Sequence, residues 1–229
     1  MLLINNHQDS ILKEINYRIK DSLLILGSNG AGKSSLAKLI CGITPSNSIE
    51  FNKINLNSFS HQDRTKVINY IPSKLDIFDE YITLRDYLYL SKIDNSVNVN
   101  KVIDTLSLKH LQDRACIKLS SGESQLLLVA SAIIHNAQIT IFDEPTANLD
   151  PTKTSQIYKI LSDREVLKTK IVITHDLNLA YKLGFDIIYL KDGKIIFKGT
   201  NSEFFNINNI KKTFDNRVKK VKDFWVVDI

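Results

Sequence analysis

The sequence predicts an α/β fold, and three observations indicate it. Short apolar runs typical of buried strands recur along the chain, at 22–26, 139–142 and 171–174. A glycine-rich loop at 27–34 follows the first run and precedes apolar residues at helical spacing. A segment of helical periodicity, at about 76–118, separates two parts in which strand patterns recur. We therefore expect a mixed sheet, with an antiparallel piece at the N-terminus and an inserted helical subdomain.

The first two predicted strands form the antiparallel piece. They lie at 2–4 and 11–19 and are joined by a polar turn at 5–10. Ile15, Tyr17 and Ile19 alternate with polar neighbours, as the residues of a half-buried strand do. Weaker patterns predict a strand or hairpin at 48–56 and a short strand at 67–71.

The glycine-rich loop fits the pattern G-x-x-x-x-G-K-[ST] between a strand and a helix, the context of a phosphate-binding loop. Glycines allow backbone N–H groups to wrap a polyphosphate, and the following helix adds the positive end of its dipole. The lysine supplies a cation for the terminal phosphates, and the serine hydroxyl is a hard ligand suited to Mg²⁺. The residues are Gly27, Ser28, Asn29, Gly30, Ala31, Gly32, Lys33 and Ser34, followed by Ser35. The alternative is a tight strand–helix turn with a surface lysine; we predict nucleotide binding.

The segment 76–118 has the periodicity of helices. Thr83 and Asp86 have the spacing of a capping box, so a helix is expected to begin after Thr83. Asn98 is suited to cap a second helix. The apolar residues of that helix recur at i, i+3, i+4 and i+7, namely Val99, Val102, Ile103 and Leu106. Polar residues at 94–96 predict an exposed loop between the two helices.

A second anion-receptive site is predicted just after this insert. Ser120 and Glu123 have capping-box spacing and precede a long apolar helix at 126–134. Ser121 and Gly122 complete a helix start whose N–H groups face outward. Many helices begin in this way, so the motif taken alone is also compatible with an ordinary cap.

Two adjacent carboxylates, Asp143 and Glu144, end the apolar run at 139–142. Buried carboxylates need a compensating cation or hydrogen bonds, and beside a phosphate loop that cation is Mg²⁺. We expect Asp143 to hold the ion and Glu144 to polarise the attacking water. The alternative is that Asp143 and Glu144 belong to an ordinary exposed turn without a metal. Asp150 lies in the tight polar segment before a helix predicted at 152–161.

His175 follows the apolar run at 171–174. Because ligands gather at the carboxyl ends of parallel strands, we predict that this histidine senses phosphate rather than serving only as a satisfied polar residue. Asp192 and Gly193 predict a hairpin between strands at 187–190 and 194–197. The aromatic residues of the C-terminal segment predict a small cap of strands and helix.

Composition is that of an ordinary globular domain, with 43% hydrophobic and 24% charged residues. The net charge is +5, and the lysines at 211–212 and 219–220 could face acidic lipid or nucleic acid; we expect an ordinary solvated surface. Two cysteines form no metal-ligand pattern or disulfide framework. No apolar run reaches the length of a membrane span, so we expect a cytosolic protein that is neither secreted nor membrane-spanning.

These motifs together resemble the ATPase subunits of ABC transporters, and the resemblance covers nearly the whole chain. The order matches the family: phosphate loop, helical insert, signature at 119–123 (close to LSGGQ), acidic strand at 139–144, D-loop at 147–150 and His175. The resemblance implies a P-loop NTPase fold in a single domain, 1–229. Its RecA-like core and antiparallel β piece would comprise 1–75 and 119–229, and its helical subdomain 76–118.

The resemblance also implies ATP and Mg²⁺ as cofactors, with Lys33, Glu144 and His175 catalytic and Ser34 and Asp143 holding the metal. Residues 27–35, 120–123 and Asp150 would contact nucleotide. Two copies would pair head to tail, or one copy with another ATPase subunit, so that each signature closes over the partner's ATP. The helical subdomain would bind a membrane permease at the cytoplasmic face, served indirectly by an extracytoplasmic substrate-binding protein. No nucleic-acid partner is expected.

Three positions depart from the family pattern. Ser73 stands where the family has a glutamine that reaches the metal and the attacking water. His7 is the nearest candidate for the aromatic residue on which adenine stacks. Ser121 replaces a signature glycine, and its small hydroxyl still permits close approach.

The segment 174–180 and the compact length resemble importers of iron chelates, haem or cobalamin. The alternatives are an exporter subunit with the same chemistry, a non-transport nucleotide switch, and a weakly active subunit, the last suggested by Ser73.

Overall fold

The computed structural model describes residues 1–93, 96–215 and 217–227. The chain divides into two compact units, one formed by 1–57 with 171–229 and the other by 58–170. The predicted helical insert at 76–118 falls inside the second unit. Of the exposed loop predicted at 94–96, Asp94 and Asn95 lie outside the described residues.

The helices and strands follow one another along the chain in this order: β1 (Leu2–His7), β2 (Ile15–Ile19), β3 (Leu23–Gly27), α1 (Lys33–Ile40), β4 (Ile49–Phe51), β5 (Ile54–Asn55), α2 (His61–Val67), β6 (Ile68–Ile71), α3 (Leu84–Leu90), α4 (Val99–Thr105), α5 (Ser121–His135), β7 (Ile139–Asp143), α6 (Pro151–Ser162), β8 (Thr169–Ile173), α7 (Leu177–Leu183), β9 (Asp186–Lys191), β10 (Lys194–Gly199), α8 (Asn201–Phe204), α9 (Ile207–Phe214), β11 (Val218–Val221) and β12 (Phe224–Val227). Three short 3₁₀ helices lie at Leu56–Ser58, Lys109–Leu111 and Cys116–Lys118.

An antiparallel sheet in the order β2-β1-β4-β5 confirms the predicted N-terminal piece. The strand predicted at 11–19 begins only at Ile15. The reason is a turn in which the Asp9 side chain accepts hydrogen bonds from the N–H groups of Ile11 and Leu12, each at 2.7 Å. These amides are therefore engaged locally instead of in a ladder.

The first unit also contains a mixed sheet. Strand β3 pairs in parallel with β9 on one side and with residues 171–173 of β8 on the other, and β10 pairs antiparallel with β9. Every residue of β3 is buried, as expected for a strand covered on both faces. The predicted hairpin between β9 and β10 is confirmed, with positive φ at Asp192 and Gly193.

The hairpin turn gives a stability prediction. An added Cβ at Gly193 (φ +76°) would lie 1.8 Å from the backbone oxygen of Ile11, whereas one at Gly184 (φ +69°) would meet nothing within 4 Å. Gly184→Ala is expected to lower the free energy of unfolding by about 1 kcal/mol, the cost of left-handed backbone for a residue with a Cβ. Gly193→Ala is expected to cost roughly 3 kcal/mol or more because the backbone must also move. Urea denaturation of both variants measures the free energy of unfolding. Equal losses of that free energy in the two variants would contradict the prediction.

The C-terminal segment forms the small cap of strands and helix that the aromatic residues predict. Phe204 is fully buried, and its ring centroid lies 5.2 Å from that of Phe205. Phe205 in turn packs against Tyr181 of α7 at 5.0 Å and Trp225 of β12 at 5.3 Å. The β11–β12 hairpin is thus held to the first unit by aromatic packing.

The second unit contains the parallel pair β6–β7 and the helices α2 to α6. The capping box at Thr83 and Asp86 and the cap at Asn98 are confirmed, so the insert is helical as its periodicity predicts. Helix α2 was not predicted, because its sequence has almost no apolar residues. Its signal is the cap: the side chain of Ser60 accepts a hydrogen bond from the N–H of Asp63.

Candidate functional site

The phosphate loop of the first unit turns through three glycines with positive φ, Gly27, Gly30 and Gly32. Gly27 ends the buried strand β3, and a Cβ there would lie 2.5 Å from the backbone oxygen of Leu190. Glycine is therefore required at the point where the loop leaves the sheet. The N–H of Ala31 donates to the oxygen of Ser28 at 3.2 Å, which closes the turn.

Lys33 begins helix α1 and points its ammonium group back into this loop. The side chain is 7% exposed, and Nζ donates to the carbonyl oxygens of Gly27 at 2.8 Å and Ser28 at 3.0 Å. Ser34 is exposed and Ser35 is half-buried in the first turn of the helix. A buried cation beside unpaired helix N–H groups is the arrangement that binds a polyphosphate.

His175 lies at the carboxyl end of the strand next to β3. The N–H of Thr174 donates to the oxygen of Ile25 at 3.2 Å, so the chain leading to His175 still pairs with the strand that leads to the phosphate loop. The His175 side chain is exposed. Asp176 then caps α7 by accepting from the N–H groups of Asn178 and Leu179. The loop and the predicted phosphate sensor therefore follow neighbouring strands.

His7 is not available to stack on adenine, and that expectation is wrong. The ring is 6% exposed, with Nδ1 at 3.1 Å from the Ser46 hydroxyl and Nε2 at 3.1 Å from the Asp9 carboxylate. The Leu12 N–H, followed by His7, lowers the pKa of Asp9. His7 is thus the last residue of β1, where it pairs with Ile15, and it has almost no free surface.

In the second unit, the signature segment starts α5 with the predicted capping box. The Ser120 hydroxyl accepts from the N–H of Glu123 at 3.3 Å, and the Glu123 carboxylate accepts from the N–H of Ser120 at 2.8 Å. That N–H donation is the main reason why the pKa of Glu123 is lowered. Ser120 and Ser121 are exposed, so the helix start faces solvent. A Cβ at Gly122 would contact only the flexible side chain of Lys153 within 3.4 Å.

Asp143 ends strand β7, and Glu144 follows it. Asp143 is 6% exposed, and the Tyr70 hydroxyl donates to its Oδ2 at 2.7 Å. Glu144 is half-buried and has φ of 50°, a left-handed conformation unusual for a residue with a side chain. Such strain is often found at functional positions. Asp150 caps α6, because its carboxylate accepts from the N–H groups of Thr152 and Lys153.

A cavity of about 800 Å³ in the second unit joins several of these positions. Glu144, Ser121 and Ser73 line it together, so the predicted base shares one cavity with a signature residue and with the serine at the family's glutamine position. Gln125 also lines it, which the sequence did not suggest. Its side chain is 5% exposed, and its Nε2 has no hydrogen-bond partner within the described ranges. Tyr70 is the other residue that sequence reasoning missed.

The donor chemistry fits Mg²⁺. Among residues 1–93, 96–215 and 217–227, no group of three or more His, Cys, Asp or Glu could hold a metal ion. Mg²⁺ at phosphate sites needs no such cage, because one or two protein oxygens, phosphate oxygens and water complete its coordination. Asp143 of the second unit is a buried carboxylate and Ser34 of the first unit is an exposed hydroxyl, and each taken by itself is an oxygen donor of the required type. No helix in the described part of the chain is sufficiently long and apolar to cross a membrane.

Comparison with known proteins gives a consistent result. Residues 12–147 match the family model described as ABC transporter. The chain is 32% identical to an uncharacterised ABC transporter ATP-binding protein of Methanocaldococcus jannaschii, over 95% of this chain and 91% of the relative. It is 29% identical to the zinc import ATP-binding protein ZnuC of Buchnera aphidicola, over 91% and 88% of the two chains.

A solved structure shows the same fold. CbiO1 from Clostridium perfringens, part of the ABC transporter complex CbiONQ, superimposes with a TM-score of 0.75 and 25% identity, and the match covers 94% of each chain.

Proposed function

Because this chain belongs to the ABC transporter family, as an ATP-binding protein and ATPase, we propose that it is the energy-coupling subunit of an importer. It hydrolyses ATP with Mg²⁺ while bound to a partner permease. The observation that carries the proposal is the presence of two anion-receptive sites in one chain. One is the loop around buried Lys33, and the other is the solvent-facing helix start at Ser120.

Two such sites in one chain suit a head-to-tail pair of copies. The phosphate loop of one copy holds the triphosphate, and the helix start of the other presents Ser120, Ser121 and its N–H groups to the terminal phosphate. Binding is then shared across the interface, and loss of the terminal phosphate loosens it. Pairing with a different ATPase subunit would work in the same way.

The catalytic roles follow from the chemistry of the residues. Lys33 exchanges its bonds to the loop carbonyls for bonds to the terminal phosphates, where its charge is needed. Glu144 accepts the proton of the attacking water, and His175 donates to the terminal phosphate. Ser34 and Asp143 are the residues that would hold Mg²⁺, whose charge would neutralise the phosphate oxygens.

The surface of the helical insert supports a protein partner. Phe78 is 90% exposed and Tyr81 is 87% exposed, and Leu90 and Ile117 are also exposed. Two large aromatic side chains with almost complete exposure, three positions apart, are suited to contact a protein partner. We propose that these residues contact cytoplasmic helices of the permease, so that the chain binds peripherally at the cytoplasmic face of the membrane.

The proposed cargo is an iron chelate, haem or cobalamin, delivered through the permease by an extracytoplasmic binding protein. The residues at 174–180 support this class, and a relative named for zinc import shows that an ATP-binding protein of this size serves metal uptake elsewhere.

Purification of the tagged chain from membranes tests the transporter assignment. We expect a membrane permease to co-purify. Identifying that permease would indicate which class of compound is transported. Replacing Phe78 and Tyr81 by serine should reduce the recovered permease by about tenfold or more, because exposed aromatic anchors carry much of an interface's energy. Ile207→Ser, at a 61% exposed position in the first unit, is the matched control and should change nothing. Recovery of the chain without any permease would contradict the proposal.

A further inference from the structure

The strand that leads to Ser73 reaches the acidic pair through a tyrosine. Strands β6 and β7 are parallel neighbours, with Tyr70 opposite Ile141 and Ile71 opposite Phe142. From this position the Tyr70 hydroxyl donates to Oδ2 of Asp143 at 2.7 Å, although the two residues are 73 positions apart in the chain. The contact lies entirely within the second unit.

Asp143 needs such a donor. Its side chain is 94% removed from solvent, since 6% is exposed, and an ionised carboxylate at that depth is costly without a compensating hydrogen bond. A phenol O–H donating to a carboxylate is a charge-assisted bond that keeps the negative charge on the acceptor. It also fixes the rotation of the carboxylate, because Oδ2 is held and the direction of Oδ1 is thereby set.

We propose that Tyr70 is a positioning residue for the metal ligand Asp143. The tyrosine holds Oδ2 and so limits the orientations of the carboxylate that would take Mg²⁺. The inference rests on the proposed function, in which Asp143 holds Mg²⁺. Partners that orient a metal ligand in this way commonly affect metal affinity almost as strongly as the ligand itself.

The departure at Ser73 gives this contact its importance. A serine three residues after Tyr70 has no side chain long enough to replace the glutamine that the family uses near the metal. The Tyr70 hydroxyl, three residues before Ser73, makes a polar contact from this strand to Asp143. Strand β6 therefore still contributes to the proposed metal site, through the hydrogen bond from Tyr70 to Oδ2 of Asp143.

The experiment compares four forms of the full chain: wild type, Tyr70→Phe, Asp143→Asn and the double variant. Tyr89→Phe, at a tyrosine on α3 that is 49% exposed, is the matched control. Free Mn²⁺ is measured by electron paramagnetic resonance at saturating ADP, which gives a dissociation constant for the metal without turnover. ADP affinity without metal and thermal unfolding with and without Mn²⁺–ADP are measured in parallel.

We expect Tyr70→Phe to weaken Mn²⁺ binding by about tenfold and to leave metal-free ADP affinity unchanged. Tyr89→Phe should stay within about twofold of wild type, a change too small to count as loss of a metal-orienting partner. Asp143→Asn should weaken Mn²⁺ binding at least as much, and adding Tyr70→Phe to it should have no further effect, because the oriented ligand is already gone.

The outcomes distinguish the metal-binding role of Asp143 from the positioning role of Tyr70. If Asp143→Asn binds Mn²⁺ as tightly as wild type, the metal role of Asp143 in the proposed function is wrong. If Asp143→Asn is impaired but Tyr70→Phe matches Tyr89→Phe, only the positioning role is overturned. A lower melting temperature for Tyr70→Phe with unchanged Mn²⁺ affinity would show a purely structural bond and would likewise overturn it. The melting shift caused by Mn²⁺–ADP within each variant keeps the comparison valid even if Tyr70→Phe is less stable.

Discussion

Replacing Glu144 by glutamine is expected to reduce ATP turnover by about a hundredfold or more while ATP still binds. Glutamine has the size of glutamate, but its amide cannot take a proton from water at neutral pH. Positioned general bases contribute about 10²–10⁴-fold to the rate. Glu144 directly follows the buried Asp143 and lines the cavity shared with Ser121 and Ser73, which is the location expected for such a base.

Phosphate release under saturating Mg²⁺ and ATP measures turnover, and a fluorescent ATP analogue measures binding. Sedimentation of Glu144→Gln with ATP should also show a stable dimer, because the shared terminal phosphate is no longer removed. Glu165→Gln, at an exposed glutamate of the same unit, is the control and should behave as wild type. Turnover that survives in Glu144→Gln would show that another group activates the water.

Removing the ammonium group of Lys33 is expected to weaken ATP binding by roughly 10- to 150-fold. Hydrogen bonds from a charged donor contribute about 1.5–3 kcal/mol each, which corresponds to that range of affinity. In the protein the ammonium group is buried and bonded to the carbonyls of Gly27 and Ser28, so it is already held within the loop that wraps the phosphates. Lys33→Ala leaves those carbonyls without the cation.

Equilibrium binding of a fluorescent ATP analogue to Lys33→Ala tests this expectation. The control is Lys38→Ala, at an exposed lysine five residues farther along the same helix. Melting curves of both variants show whether the fold is kept. Equal ATP affinities for the two variants would mean that the phosphates do not depend on Lys33, which would remove the basis of the nucleotide site.

The parts of the site that sequence could predict are those built from local chemistry. The loop at 27–34 and the capping boxes at Thr83 and Ser120 depend on residues within a few positions of one another, and the structure has each capping box as expected. The hairpin at Asp192 and Gly193 was predictable for the same reason, because two adjacent residues determine its turn.

The errors arose where hydrogen bonds of side chains, rather than an apolar pattern, decide the local structure. Residues 11–14 have strand-like composition, but hydrogen bonds to the Asp9 side chain keep the amides of Ile11 and Leu12 out of the sheet. His7 was the nearest candidate to stack on adenine, and its contacts with Ser46, 39 positions away, and with Asp9 bury it at the end of β1 instead. Helix α2 was missed because its sequence has almost no apolar residues, and its signal is the Ser60 cap at its start.

Residue types at short spacing were sufficient to predict the family, the glycine-rich loop between a strand and a helix, the capped helix start at Ser120 and the order of the acidic and histidine positions. Only the tertiary structure showed that Tyr70 reaches Asp143, that Glu144 shares a cavity with Ser73 and Gln125, and that Lys33 is buried against its own loop. These contacts join strands, helices and loops that are distant in the chain or depend on how a loop folds back. Their hydrogen bonds form only when packing brings the atoms within about 3 Å, and no local pattern encodes that approach.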